Sequence, residues 1–77
     1  MSGARVECMV EELIEDGATL SCMGGSSWVV NPGDLPTVTL WLPADVVVFE
    51  ETDSSGTFNW KGTRSEDGKS AWFQRVT

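Results

Sequence analysis

Turn-forming residues punctuate this chain at intervals of roughly eight to twelve residues, a spacing that suits short strands joined by tight reversals better than strand–helix units. Asp16-Gly17 is hairpin chemistry, and Gly24-Gly25-Ser26-Ser27 supplies glycines that reach positive φ at no steric cost. Asn31-Pro32-Gly33-Asp34 carries Pro and Gly at its central positions, which predicts a type II turn, and Ser65-Glu66-Asp67-Gly68 makes the last reversal.

The segments between these turns have β-character. Arg5–Glu15 fits two periods. Val6, Met9, Val10, Leu13 and Ile14 fall at helical spacing, whereas Val6, Cys8 and Val10 alternate with Glu7, Met9 and Glu11 as on a strand. The strand is preferred, because Asp16-Gly17 then turns it into Ala18–Met23. Trp28-Val29-Val30 predicts a short strand, and Thr37–Leu42 is β-prone up to Pro43, which cannot donate to a ladder. The unbroken apolar run Val46-Val47-Val48-Phe49 predicts a core strand covered on both faces. Glu50–Gly56 reads as an acidic loop. Thr57–Lys61 alternates with Phe58 and Trp60 on one face, and Ser70–Val76 places Ala71, Phe73 and Arg75 opposite Trp72, Gln74 and Val76.

The chain of 77 residues has room for one core, so residues 1–77 are read as a single domain. Four Trp and three Phe supply the buried area so short a chain needs, which makes core packing the first reading of Trp28 and Trp41. An open sheet would expose edges that invite aggregation. The expected fold is therefore all-β: a small five- or six-stranded SH3-like or OB-like barrel, or a rolled antiparallel sheet.

Twelve acidic and five basic side chains, with no His, leave a formal net charge of −7, which disfavours nucleic acid as a partner. No apolar stretch suits a secretion signal or approaches the ~20 residues of a membrane span, so a cytoplasmic location without membrane contact is expected. In that reducing setting Cys8 and Cys22 are expected to be free thiols. Without histidine, neither a zinc site nor the usual pairing of nucleophile and imidazole base can be built, so the expectation is no catalytic residue, no metal site, no cofactor and no enzyme activity. The scattered Glu and Asp lack the dense spacing of a calcium loop.

Trp28-Val29-Val30-Asn31-Pro32-Gly33-Asp34 followed by Trp41-Leu42-Pro43-Ala44-Asp45-Val46 resembles a group of small uncharacterised bacterial single-domain β proteins with a W-x-V-x-P-x-D and W-x-P-G-D-x-V pattern. The resemblance spans residues 12–75 and departs from the pattern at Ala44, where glycine is usual. It implies a small β-barrel and no particular activity. Asp34 and Asp45 each follow a turn proline and are expected to fix their turns by accepting backbone N–H bonds. Trp60 and Trp72, on the closing hairpin, are the candidate partner contacts. The functional expectation is a non-enzymatic module that binds another protein or itself, with self-association through an edge strand or the last hairpin as its specific form. The alternative is nucleic-acid or small-ligand binding through a Trp-lined face.

Overall fold

Alternation, not helical period, governs the first segment: β1 (Arg5–Ile14) buries Cys8 and Val10 while Glu7, Met9 and Glu11 face outward. The computed structural model describes residues 4–15, 18–52 and 56–76. The helix-like step from Val10 to Leu13 comes from a β-bulge, since β1 pairs Val10 with Cys22 but Glu12 with Ser21, leaving Glu11 as the extra residue. The bulge brings Leu13 back to the inner side, opposite Leu20 on β2 (Thr19–Cys22). Asp16-Gly17 lies outside the described residues, although the antiparallel pairing from Ile14–Thr19 onward is that of a hairpin.

β3 (Ser27–Val30), β4 (Val46–Glu51), β5 (Trp60–Arg64) and β6 (Ser70–Arg75) complete a closed antiparallel barrel of order β1-β2-β3-β6-β5-β4. The fold is thus a six-stranded all-β barrel. Two three-stranded meanders are joined along β1–β4 and β3–β6, and the second seam ends on a side chain. Beyond the Val30–Phe73 pair, the Asn31 amide donates to the Trp72 carbonyl at 2.9 Å. The Asn31 carbonyl is already taken by the Asp34 amide at 2.8 Å, so Asp34 Oδ2 accepts the Trp72 amide instead, at 2.9 Å.

Several local expectations are corrected. Asn31–Asp34 is not a type II turn: Pro32–Asp34 forms a 3-10 turn, with successive bonds from Asp34 to Asn31 and from Leu35 to Pro32, and Gly33 stays out of the positive-φ region. Thr37–Leu42 is not a strand. Residues Leu35–Val38 form a short helix, α1, followed by a turn, and the three-residue step from Val38 to Trp41 puts both side chains into the open end of the barrel. Burial of this apolar pair outweighs the β-propensity of Thr37, Val38 and Thr39. β4 runs on through Glu51, where a loop was expected, and only its inner face is fully covered: Val47 and Phe49 are buried, Val46 and Val48 half-buried. The strand expected at Thr57 starts at Trp60, leaving Phe58 half-buried before it.

Cys8 and Cys22 are not free thiols but a disulfide, with Cα atoms 5.6 Å apart. The reason is register. Cys22 pairs directly with Val10, so Cys8, two residues earlier on the same inward face of β1, is its diagonal neighbour. A bridge closing a loop of about 15 residues contributes roughly 3 kcal/mol by limiting the unfolded chain.

Rings run through the barrel from end to end. Trp60 meets Trp28 edge-on at 5.1 Å, Trp28 stacks on Phe49 at 3.9 Å and 4°, Phe49 meets Phe73 edge-on at 4.9 Å, and Trp41 lies 6.0 Å from Phe73. The Arg75 guanidinium covers the far end, 5.5 Å from the Trp28 ring and 5.7 Å from that of Trp60. Gly62 makes the Phe49–Phe73 contact possible, because a Cβ there would lie 2.7 Å from an edge carbon of each ring. Gly62→Ala is expected to lower unfolding stability by about 1–3 kcal/mol in urea titration. Cys8→Ala/Cys22→Ala should lose a similar amount, about 2–4 kcal/mol, and reduction of the parent protein should reproduce that loss.

Candidate functional site

The most distinctive surface lies where α1 and the chain after it close the barrel. Three segments meet there: the stretch Leu35–Trp41, the turn Leu42–Asp45 that leads into β4, and the β5–β6 hairpin. Pro36 and Pro43 bracket a Leu-Trp-Leu sequence in which only the middle side chain enters the core. Trp41 is buried, while Leu40 is 72% and Leu42 60% exposed.

Asp45 organises the turn. Its Oδ2 accepts the Leu42 amide at 2.7 Å, and its own amide donates to the Leu42 carbonyl at 3.1 Å. The turn is fastened to the bulged part of β1, since Ala44 N–H donates to the Val10 carbonyl at 2.8 Å and Val10 N–H to that of Asp45 at 2.9 Å. Met23 N–H donates to the Met9 carbonyl at 2.9 Å, bringing the exposed side chains of Met9 and Met23 onto the neighbouring surface. Ala44 takes φ +74°, a left-handed conformation that costs a residue with a Cβ roughly 1 kcal/mol.

The same Asp45 oxygen lies 3.0 Å from an Arg64 terminal nitrogen, and the two side chains are only 14% and 12% exposed. Arg64 also meets Glu66 at 2.7 Å and Asp67 at 3.4 Å, and its Nε is buried without a partner. Arg64 therefore ties the β5–β6 turn to the start of β4. A cleft of about 160 Å³ opens beside it, with Pro36, Leu40 and Trp41 on one side and Arg64, Asp67 and Lys69 on the other.

The residues singled out in the sequence are dispersed. Asp34 holds the amide of Trp72 at the β3–β6 seam, and its Oδ2 lies 3.4 Å from the Asn31 side-chain amide. Trp60 is buried against Trp28, whereas Trp72 is 37% exposed on the outer side of β6, directly across from Lys61 on β5. Sequence reasoning missed Arg64, Leu40 and Leu42. The available signal was Trp41 flanked by two leucines between prolines: with the indole assigned to the core, alternation leaves both leucines outside.

Among the described residues, no three His, Cys, Asp or Glu side chains gather into a set suited to a metal ion, and no helix is long and apolar enough to cross a membrane. No family model matches the chain, and neither a curated protein nor a solved structure matches it. Ala44→Gly tests the turn: removing the Cβ should raise stability by about 0.5–1 kcal/mol in urea titration, despite the greater freedom of the unfolded glycine chain.

Proposed function

We propose that this chain is a non-enzymatic protein-interaction module that engages another protein, or a second copy of itself, at the end of the barrel closed by Leu35–Trp41. One observation carries the reading: Leu40 and Leu42 stand out in solvent on either side of a buried Trp41, and the turn that follows is bonded to Val10, the chain neighbour of exposed Met9. Apolar side chains gathered this way mark an interaction surface, whereas scattered ones need no explanation. The cleft is smaller than the ~300 Å³ at which small-molecule sites begin and suits a single inserted side chain.

Other parts of the expectation shift with the geometry. Self-association by strand pairing loses its main motive, because closure of the barrel gives every strand two neighbours. A Trp-lined ligand face draws little support from a fold that buries Trp28, Trp41 and Trp60 and exposes only Trp72. An enzyme would have neither imidazole base nor free thiol to work with. The Cys8–Cys22 bridge favours an oxidising compartment over the cytoplasm, the setting from which free thiols were expected. Kinship with the small bacterial β proteins remains part of the proposal, on the Trp28–Asp34 and Trp41–Val46 motifs.

The test places a photo-crosslinking amino acid at position 40, and at Gln74 on the outer side of β6 as a control, in the producing cells. A discrete protein adduct from position 40 that the control lacks is expected. Identical patterns from the two positions would refute the reading.

A further inference from the structure

We infer that the partner engaged at this end of the barrel is a basic protein segment that inserts one apolar side chain into the cleft, and not a second copy of this chain. The inference rests on the protein-interaction reading above and adds the chemistry of the occupant.

The charge around the apolar surface carries it. On the hairpin side, the carboxylates of Asp45, Glu66 and Asp67 surround the Arg64 guanidinium, so this cation is already more than balanced. Farther round the barrel, Glu7 and Glu11 flank exposed Met9 on β1, where Glu11 accepts the Ser21 hydroxyl at 3.2 Å. Lys69 is the cation left on the cleft wall, outnumbered by these acids. The hairpin rim of the cleft therefore carries more carboxylates than cations, on a protein whose formal net charge is −7.

Such a rim selects among occupants. A two-fold contact with another copy would bring the same excess of carboxylates against itself and join two bodies of charge −7, which opposes association at low and moderate salt. Anionic lipid surfaces and nucleic acids are repelled for the same reason. A segment carrying Lys or Arg on either side of an apolar anchor satisfies both halves of the surface. Its anchor enters the cleft of about 160 Å³ over Pro36 and Trp41, and its cations face Glu66 and Asp67. The rim then chiefly speeds and orients the encounter, while the leucines and the cleft hold the bound segment.

Two synthetic peptides of equal length, one alternating Leu with Lys and the other Leu with Glu, provide the probes, titrated into the ¹⁵N-labelled protein. The Leu-Lys peptide is expected to shift the amides of residues 9, 23, 40–42 and 64–69, more weakly as salt is raised, and the Leu-Glu peptide to shift none. Leu40→Ser/Leu42→Ser, at two exposed positions, should weaken Leu-Lys binding at least tenfold with unchanged spectral dispersion. Glu66→Lys, which leaves the apolar surface intact, should weaken it several-fold. Binding of the Leu-Lys peptide that ignores the leucine substitutions would show attraction by charge alone and overturn the inference. Equal binding of both peptides, binding of neither, or a dimer in light scattering that the leucine substitutions dissolve would also overturn it. Each of these outcomes leaves the protein-interaction reading to the crosslinks from position 40, so the two fail separately.

Discussion

The whole barrel depends on one close contact, the edge-on meeting of Phe49 and Phe73 over the bare backbone of Gly62. A closed sheet of six strands encloses little space, and here it is filled by a continuous file of rings from Trp60 to Trp41. The file joins the two meanders, because Trp28 belongs to the first while Phe49, Trp60 and Phe73 belong to the second. It also connects the ends of the molecule, with Arg75 over the indoles at one end and Trp41 plugging the other. Aromatic pairs of this kind contribute about 0.5–1.5 kcal/mol each beyond burial, a substantial share of the stability available to so short a chain.

Closure also requires polar groups to finish what the ladders leave incomplete. β3 stops at Val30, and the carboxylate of Asp34 receives the β6 amide that a longer strand would have bonded. At the start of β4, Asp45 accepts the Leu42 amide and pairs with Arg64, so one carboxylate both shapes the turn and joins it to the neighbouring hairpin. These two aspartates bracket the crossover between the meanders. That crossover is the part of the chain in which apolar side chains remain outside the core on both sides of a buried Trp, so the elements that close the barrel also create its exposed apolar surface.

The disulfide changes how the small core is understood. Cys8 and Cys22 join β1 to β2 just where β1 changes partner, paired with β4 through Met9 and with β2 from Val10 onward. Each half of β1 pairs on one side, Arg5 to Met9 with β4 and Val10 to Ile14 with β2, and the covalent link ties the β4-paired half to β2. The cross-link also lets a chain of this size depend less on packing alone.

The sequence by itself determined the class of fold. Spaced turns, alternation through Ser70–Val76, the Val46–Phe49 run and the pairing of charged with apolar positions on β1 were all legible, because each is a local property of a half-buried strand. Trp28 and Trp41 could be assigned to the core on size and apolar surroundings. The bulge at Glu11, the disulfide and the helical turn at Leu35–Val38 were not legible: each depends on which residues distant in the chain become neighbours. Thr37–Leu42 has the composition of a strand, yet the unfilled end of the barrel drew Val38 and Trp41 inward at a spacing that only a helical turn provides. The candidate site followed from the same event. Leu40 and Leu42 were left in solvent, and Arg64 was brought against Asp45, because burying one indole to close the barrel fixes where its neighbours must point. Only the tertiary structure could decide that.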